Sequence, residues 1–294
     1  MENNQINIVN TITQTINNLF SNLFSSVDNS LYSVLDDLLF ISSDIFNDSY
    51  LGKILGTSSS NGLILICNSL LIGLTLYYLC TLMLSYFTFS QVQRPSQFIF
   101  KLFLCAIAIN FSEFLVEKIV ILFSNISLSI REVGELVFNK SICLSTFIQE
   151  TNSTIYIEET GFNMFSLNGL IKGVISIGLL NLTCSYAIRY IMLKVFIFLT
   201  PFAFVTLINS STSWIFKSWF KLFMSLLVLQ IFVPLILIVS FSIEINSSDM
   251  FSKAIYVGCI YSLIKCNSFV KDFMGGLSTD INIGISNLKN SVIK

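Results

Sequence analysis

Along residues 1 to 61 apolar side chains recur at helical spacing within an otherwise polar chain. Val9, Ile12, Ile16, Leu19 and Leu23 advance in steps of three and four, with Asn, Thr, Gln and Ser between them, the pattern of an amphipathic helix. Asp28-Asn29-Ser30 offers a break and a cap, and Leu31, Leu35, Leu38 and Leu39 open a second amphipathic stretch that ends near Gly52 to Gly56. Asp36, Asp37, Asp44 and Asp48 give this second stretch an acidic face.

The pattern then changes. Residues 62 to 89 carry no charge and exceed the roughly 20 residues a helix needs to cross a bilayer. Arg94-Pro95 marks a turn, so residues 97 to 125 are predicted to return across the membrane, although they hold Lys101, Glu113, Glu117 and Lys118. Residues 126 to 166 read as a polar, ordered loop, with Ile130, Val133 and Val137 at helical spacing and a β-like Thr154-Ile155-Tyr156-Ile157. From Leu167 to Ile208 the chain is apolar, interrupted by Lys172, Arg189, Lys194 and Pro201. Hydropathy alone allows either one crossing plus a re-entrant or interfacial piece, or two crossings. Residues 218 to 243 and 251 to 267 complete the predicted spans, and a polar tail follows with Gly275-Gly276 as a joint.

Composition decides the solvent. The chain is 54% hydrophobic and 11% charged, against about 25% charged residues in ordinary soluble domains. Its 16 basic and 17 acidic side chains are too few to cover a soluble protein of 294 residues. The expected fold is therefore all-α: a polytopic integral membrane protein with about five transmembrane helices and N-terminal amphipathic helices. The net charge of −1 excludes a general basic field for nucleic acid.

Loop charges set the expected sides, because short cytoplasmic loops collect Lys and Arg. Arg94 and Lys101 put the first loop inside, and Arg189, Lys194, Lys217 and Lys221 form a second inside cluster. Lys265, Lys271, Lys289 and Lys294 return the chain to the inside. Two full crossings between 167 and 208 would send the basic tail out, so one crossing is preferred. The resulting plan is an extracytoplasmic amphipathic region (1–61), a first hairpin (62–125), an extracytoplasmic loop (126–166), a bundle (167–267) with an interfacial or re-entrant segment at 190–217, and a cytoplasmic tail (268–294). The N-terminus is placed outside and the C-terminus in the cytoplasm.

Ionisable residues within spans are functional candidates, because lipid makes them costly. Glu113 and Glu117 lie one helical turn apart, and Lys172, at similar depth, is their expected partner, either as a structural ion pair or along a pore. Arg189 and Lys194 read as anchors that snorkel to the interface. Trp214 and Trp219 suit a headgroup layer, with core packing as the alternative. Thr200-Pro201 is expected to break its helix near the inner face. Gly169 with Gly173, and Ala254 with Gly258, have the spacing that lets helices approach closely. The Val9, Ile12, Ile16, Leu19, Leu23 stripe carries no nearby Lys or Arg, so it is expected to dock on protein, outside the membrane bundle.

Cysteine spacing indicates neither a disulfide framework nor a zinc site; most of the seven cysteines sit in apolar stretches. With no histidine and no GxxxxGK[ST], HExxH or GxSxG motif, the usual hydrolase and nucleotide signatures are missing. No enzymatic activity and no cofactor are expected.

The stretch SYAIRYIMLKVFIFLTPFAFVTL, followed by STSWIFKSWFKLFMSLLVLQIFVPLIL, sets Arg189 late in one span, an apolar run to Pro201, and a next span bearing Trp214, Trp219, Gln230 and Pro234. With the glycine-bearing tail KCNSFVKDFMGGLSTDINIG, it resembles the polytopic membrane subunits of type IV secretion and conjugative transfer machines, the VirB/TrbL group, over roughly residues 62 to 280. The resemblance implies a homo-oligomeric scaffold or translocation-channel subunit that contacts secretion ATPases and other machine subunits and helps pass DNA or protein. A solute permease, or an accessory immunity or holin-like protein, is the competing reading. No inverted repeat favours the permease.

Overall fold

The structure, a computed structural model, describes residues 13–15, 17–19, 22, 34–56, 61–89, 94–155, 166–243 and 250–274. Among these residues the chain is helical throughout its regular elements, without strands. Residues 34–39 form a short helical stretch, and a 3-10 turn follows at Ser43–Phe46. The longer helices are α1 (Ser49–Leu55), α2 (Leu63–Thr88), α3 (Pro95–Asn110), α4 (Ser112–Phe138), α5 (Leu144–Ile155), α6 (Leu167–Val205), α7 (Ser213–Phe241) and α8 (Met250–Met274). Three of them, α2, α6 and α7, are long and apolar enough to cross a membrane. The bent pair α3 and α4 adds a fourth candidate if the two count as one span. Helix α8 occupies the place of the expected last crossing but does not reach that apolarity.

Apolar continuity explains the elements that match expectation. Helix α2 has no charged residue to interrupt it, and α7 carries its two lysines only in its first turns. The chain's second apolar run holds a break where the sequence reading puts none. Residues 97 to 125 do not form one straight crossing, because α3 stops at Asn110 and α4 leaves at 66°. Beyond that corner α4 continues unbroken to Phe138, so the first 13 residues assigned to the 126–166 loop are helix. The rest of the described loop is ordered by specific bonds. Arg131 Nε donates to the Ile142 carbonyl at 2.9 Å, the Ile142 N–H donates to Glu135 Oε1 at 3.2 Å, and Lys140 pairs with Glu150 at 2.6 Å. Thr154 and Ile155 end helix α5 rather than beginning a strand; Tyr156 and Ile157 lie outside the described residues.

Pro201 does not break its helix. Helix α6 runs 39 residues through the proline to Val205, about 58 Å at 1.5 Å per residue, well beyond the roughly 30 Å hydrocarbon core. The expected interfacial segment at 190–217 is thus mostly the end of α6, a turn at 206–212 and the start of α7. A proline four residues from a helix end removes only one ladder bond, and the neighbouring Phe196 carbonyl accepts from Thr200 Oγ1 at 3.0 Å and from Trp219 Nε1 at 3.1 Å.

Two apolar clusters run through the bundle. One joins Leu229, Val233 and Leu237 of α7 to α6, α8 and the Ile142–Ile148 region; the other joins the first half of α7 to Val116, Val120 and Phe123 of α4 and Leu193 and Ile197 of α6. The segment 34–55 belongs to both. Leu35 and Leu39 are buried in the first cluster, and Ile41, Ile45, Leu51 and Leu55 in the second. Within the region 1–61 that the sequence reading sets outside the bundle, the described segment 34–55 packs against the bundle helices.

Close helix contact comes at Gly134, which the spacing motifs did not name. A Cβ on Gly258 would meet nothing within 4 Å, so the Ala254/Gly258 pair does not bring helices together. At Gly134 a Cβ would lie 2.7 Å from Ile238 Cγ1 and 3.0 Å from Ile142 Cγ1. Gly134→Ala is therefore expected to cost about 1–3 kcal/mol by prising α4 from α7. Gly73→Ala, with open space around it, should be neutral or slightly stabilising through helix propensity. Thermal unfolding of the purified protein in detergent distinguishes the two.

Candidate functional site

Arg189 is the largest fully buried side chain among the described residues. Three elements meet there: α6, which carries it, α7, and the 34–41 segment. Its side chain is 0% exposed. Nε donates to the Leu226 carbonyl at 3.1 Å and Nη1 to the Leu39 carbonyl at 3.3 Å, while Nη2 is buried with no partner. The Tyr186 ring lies 5.6 Å from the guanidinium carbon. Arg189 is therefore not a snorkelling anchor: it points inward and ties the broken backbone of residues 39–41 to the bundle. Gln230, one turn beyond Leu226, donates from Nε2 to the Ile41 carbonyl, and its Oε1 is left without a partner. Irregular backbone survives inside a membrane bundle only where protein groups satisfy it, and these two side chains supply that satisfaction.

Lys194 also turns to the N-terminal segment. Its Nζ lies 2.9 Å from Asp48 Oδ2 and 5.1 Å from the Tyr190 ring centre. Asp48 caps α1 as well, accepting from the Tyr50 N–H at 3.1 Å. The Lys194 hydrogen bond first, and the Tyr50 N–H second, hold the Asp48 carboxyl below its ordinary value of 3.8. A depressed carboxylate adds stability that is complete above the ordinary value and is lost as pH falls through the lowered one. Asp48→Asn should remove that acid-side dependence, read by comparing unfolding of the two proteins between about pH 5 and pH 2. The contact brings together two residues that the sequence reading sets on opposite sides of the membrane, Asp48 outside and Lys194 inside.

The expected pairing of Glu113 or Glu117 with Lys172 is not formed. Glu117 faces Lys118 at 3.3 Å on the partly exposed side of α4, and Lys172 is buried on α6 with polar contacts of its own. Equal depth did not imply adjacency, because the bend at Phe111 turns α4 along α7. The two tryptophans divide. Trp214 is exposed, as a headgroup residue would be, whereas Trp219 is buried and stacks on Phe223 at 5.3 Å. Of the proposed docking stripe only Leu19 is described, helical and exposed; Val9, Ile12, Ile16 and Leu23 lie outside the described residues.

Asp36 and Asp48, read in the sequence as part of one acidic face, each bond to a partner distant in the chain. Asp36 Oδ1 accepts from the Leu144 N–H at 2.9 Å, capping α5 from 108 residues away. All seven cysteines are free thiols, and among the described residues no group of three or more acidic, Cys or His side chains is placed to hold a metal. An apolar groove of about 690 Å³ opens between α7 and α8, lined by Phe232, Leu235, Val239, Phe251 and Gly258 among others.

Comparison with protein-family models and with curated proteins gave no match. The class that the fold defines is an all-helical chain with three to four candidate membrane-spanning helices.

Proposed function

We propose that the chain is a non-enzymatic, multi-pass membrane subunit of a type IV secretion or conjugative transfer machine, acting as a homo-oligomeric channel or scaffold beside partner ATPases. The observation that best supports a scaffold is the α2–α3 hairpin. Its base packs on the end of α6 through Cys67, Leu71, Cys105, Ile109, Val205 and Ile208. Beyond that base it carries exposed apolar side chains such as Met83, Tyr86, Phe87 and Phe103. Only 11% of the apolar window of α2 is buried, so its surface calls for lipid or neighbouring copies. The identity of the machine rests on the Arg189, Pro201, Trp214, Trp219, Gln230 and Pro234 resemblance.

In the topology we favour, the N-terminus is outside and residues 34–55 pass between the two ends of the bundle. Both feet of the α2–α3 hairpin then sit at the cytoplasmic end, with Lys194, Lys217 and Lys221, and its Arg94 tip at the opposite end, against the loop-charge expectation. Helix α4 leads out, α6 in, α7 out and α8 back toward a cytoplasmic C-terminus. Detergent extraction after crosslinking in the native host tests the function. Co-purification of secretion ATPases and recovery of the chain as a multimer are expected. A solitary monomer would sink the proposal in favour of a permease or accessory protein.

A further inference from the structure

We propose that Arg189 and Ser185 form an internal site for a small monovalent anion of the halide class, enclosed where α6 packs on α7 and the 34–41 segment. A guanidinium stays protonated in proteins, so burial cannot be relieved by losing the charge. The two carbonyls it contacts, Leu226 and Leu39, satisfy N–H groups without neutralising the ion. Among the described residues no carboxylate pairs with it. Nor can a partner protein supply one, because Arg189 has no exposed surface. A buried charge without a counter-ion among the described residues is the costly case, and a small diffusible anion would discharge it.

A second donor stands beside it. Ser185 precedes Arg189 by four residues, which puts both on one face of α6. Thr183, Thr200 and Ser240 donate back to the carbonyl four residues earlier, whereas the buried helical hydroxyls of Ser112, Ser127, Ser176 and Ser185 do not. Ser185 is 1% exposed and its Oγ has no partner at all. Its O–H and the Nη2 hydrogens of Arg189 are thus buried donors on one face without a hydrogen-bond partner, and Asn181 Oδ1, a turn before Ser185, is an unpartnered acceptor on that face. Gln230 Oε1, also unpartnered, is an acceptor and belongs to the wall of such a site rather than to the anion's shell. The burial of both donors favours a monatomic ion over a larger one.

The test uses the full chain purified in detergent, with thermal unfolding followed in sodium chloride, bromide and gluconate at constant ionic strength. Chloride and bromide should raise the midpoint in a saturable way, and gluconate should not. Ser185→Ala should move the half-saturating chloride concentration upward by about tenfold, the loss of one charge-assisted hydrogen bond. Arg189→Gln should abolish the dependence; if that variant does not fold, the wild type and Ser185→Ala series decides. Equal midpoints of the wild type in all three salts, or a Ser185→Ala curve superimposed on the wild type, would mean that water alone fills the site and would overturn the proposal. These outcomes do not depend on the secretion reading.

Discussion

Cysteines placed at Asn61 and Ser211 are expected to react with a membrane-impermeant maleimide from the same side of the membrane, and a cysteine at Ser141 from the opposite side. The background is a chain whose seven native cysteines are replaced by serine. Asn61 precedes α2 and Ser211 lies in the turn between α6 and α7; both are exposed. The start of α2 and the end of α6 share a cluster, with Ile64 and Cys67 against Phe202, Val205 and Ile208, and the Lys194 to Asp48 contact pins the preceding segment there. Ser141 sits at the far end of α4, beside the start of α5. The effect is all or none: inverted vesicles should expose the first two sites, and intact cells the third. Labelling of Asn61→Cys and Ser211→Cys from opposite sides would refute the packing of residues 48–64 against the end of α6.

The charge rule placed Asp48 outside for an intelligible reason. It assumes that the first crossing begins at the first long apolar run, Leu63–Thr88. Residues 34–55 carry too many acids to be recognised as a passage through the bundle, yet two of those acids are spent on partners far away in sequence, Leu144 and Lys194. Nothing local announces such partners. The same holds for Arg189, whose acceptors are backbone carbonyls of Leu226 and Leu39; a snorkelling arginine and a backbone clamp look alike in one dimension. Helix punctuation misled in both directions. Pro201 signalled a break, but so near the end of α6 it removes only one ladder bond, while Asn110-Phe111-Ser112 gave no signal of a 66° corner. What was legible was continuous apolarity: α2 and α7 stand close to where hydropathy put them. The inward polar residues were legible as candidates, and their partners were not.

The strap formed by residues 34–55 is expected to hold the bundle together, so that Leu39→Ala lowers stability by about 2–5 kcal/mol, the range for emptying a fully buried leucine site. Leu39 is 0% exposed and packs in the cluster that joins α6, α7 and α8, so the cavity would open at the junction of three helices. Gln230→Leu probes the polar half of the same junction. It keeps the side chain's bulk and removes the donor to the Ile41 carbonyl, leaving a buried backbone acceptor unserved at a cost of about 1–3 kcal/mol. The two sites share the 39–41 backbone, so the combined loss should depart from the sum of the single losses. Leu65→Ala serves as the control, since Leu65 is on the exposed side of α2 and should change stability by less than about 0.5 kcal/mol. Detergent unfolding of the four proteins gives the comparison. If Leu39→Ala and Gln230→Leu unfold with the control, residues 34–55 lie on the surface and the bundle is complete without them.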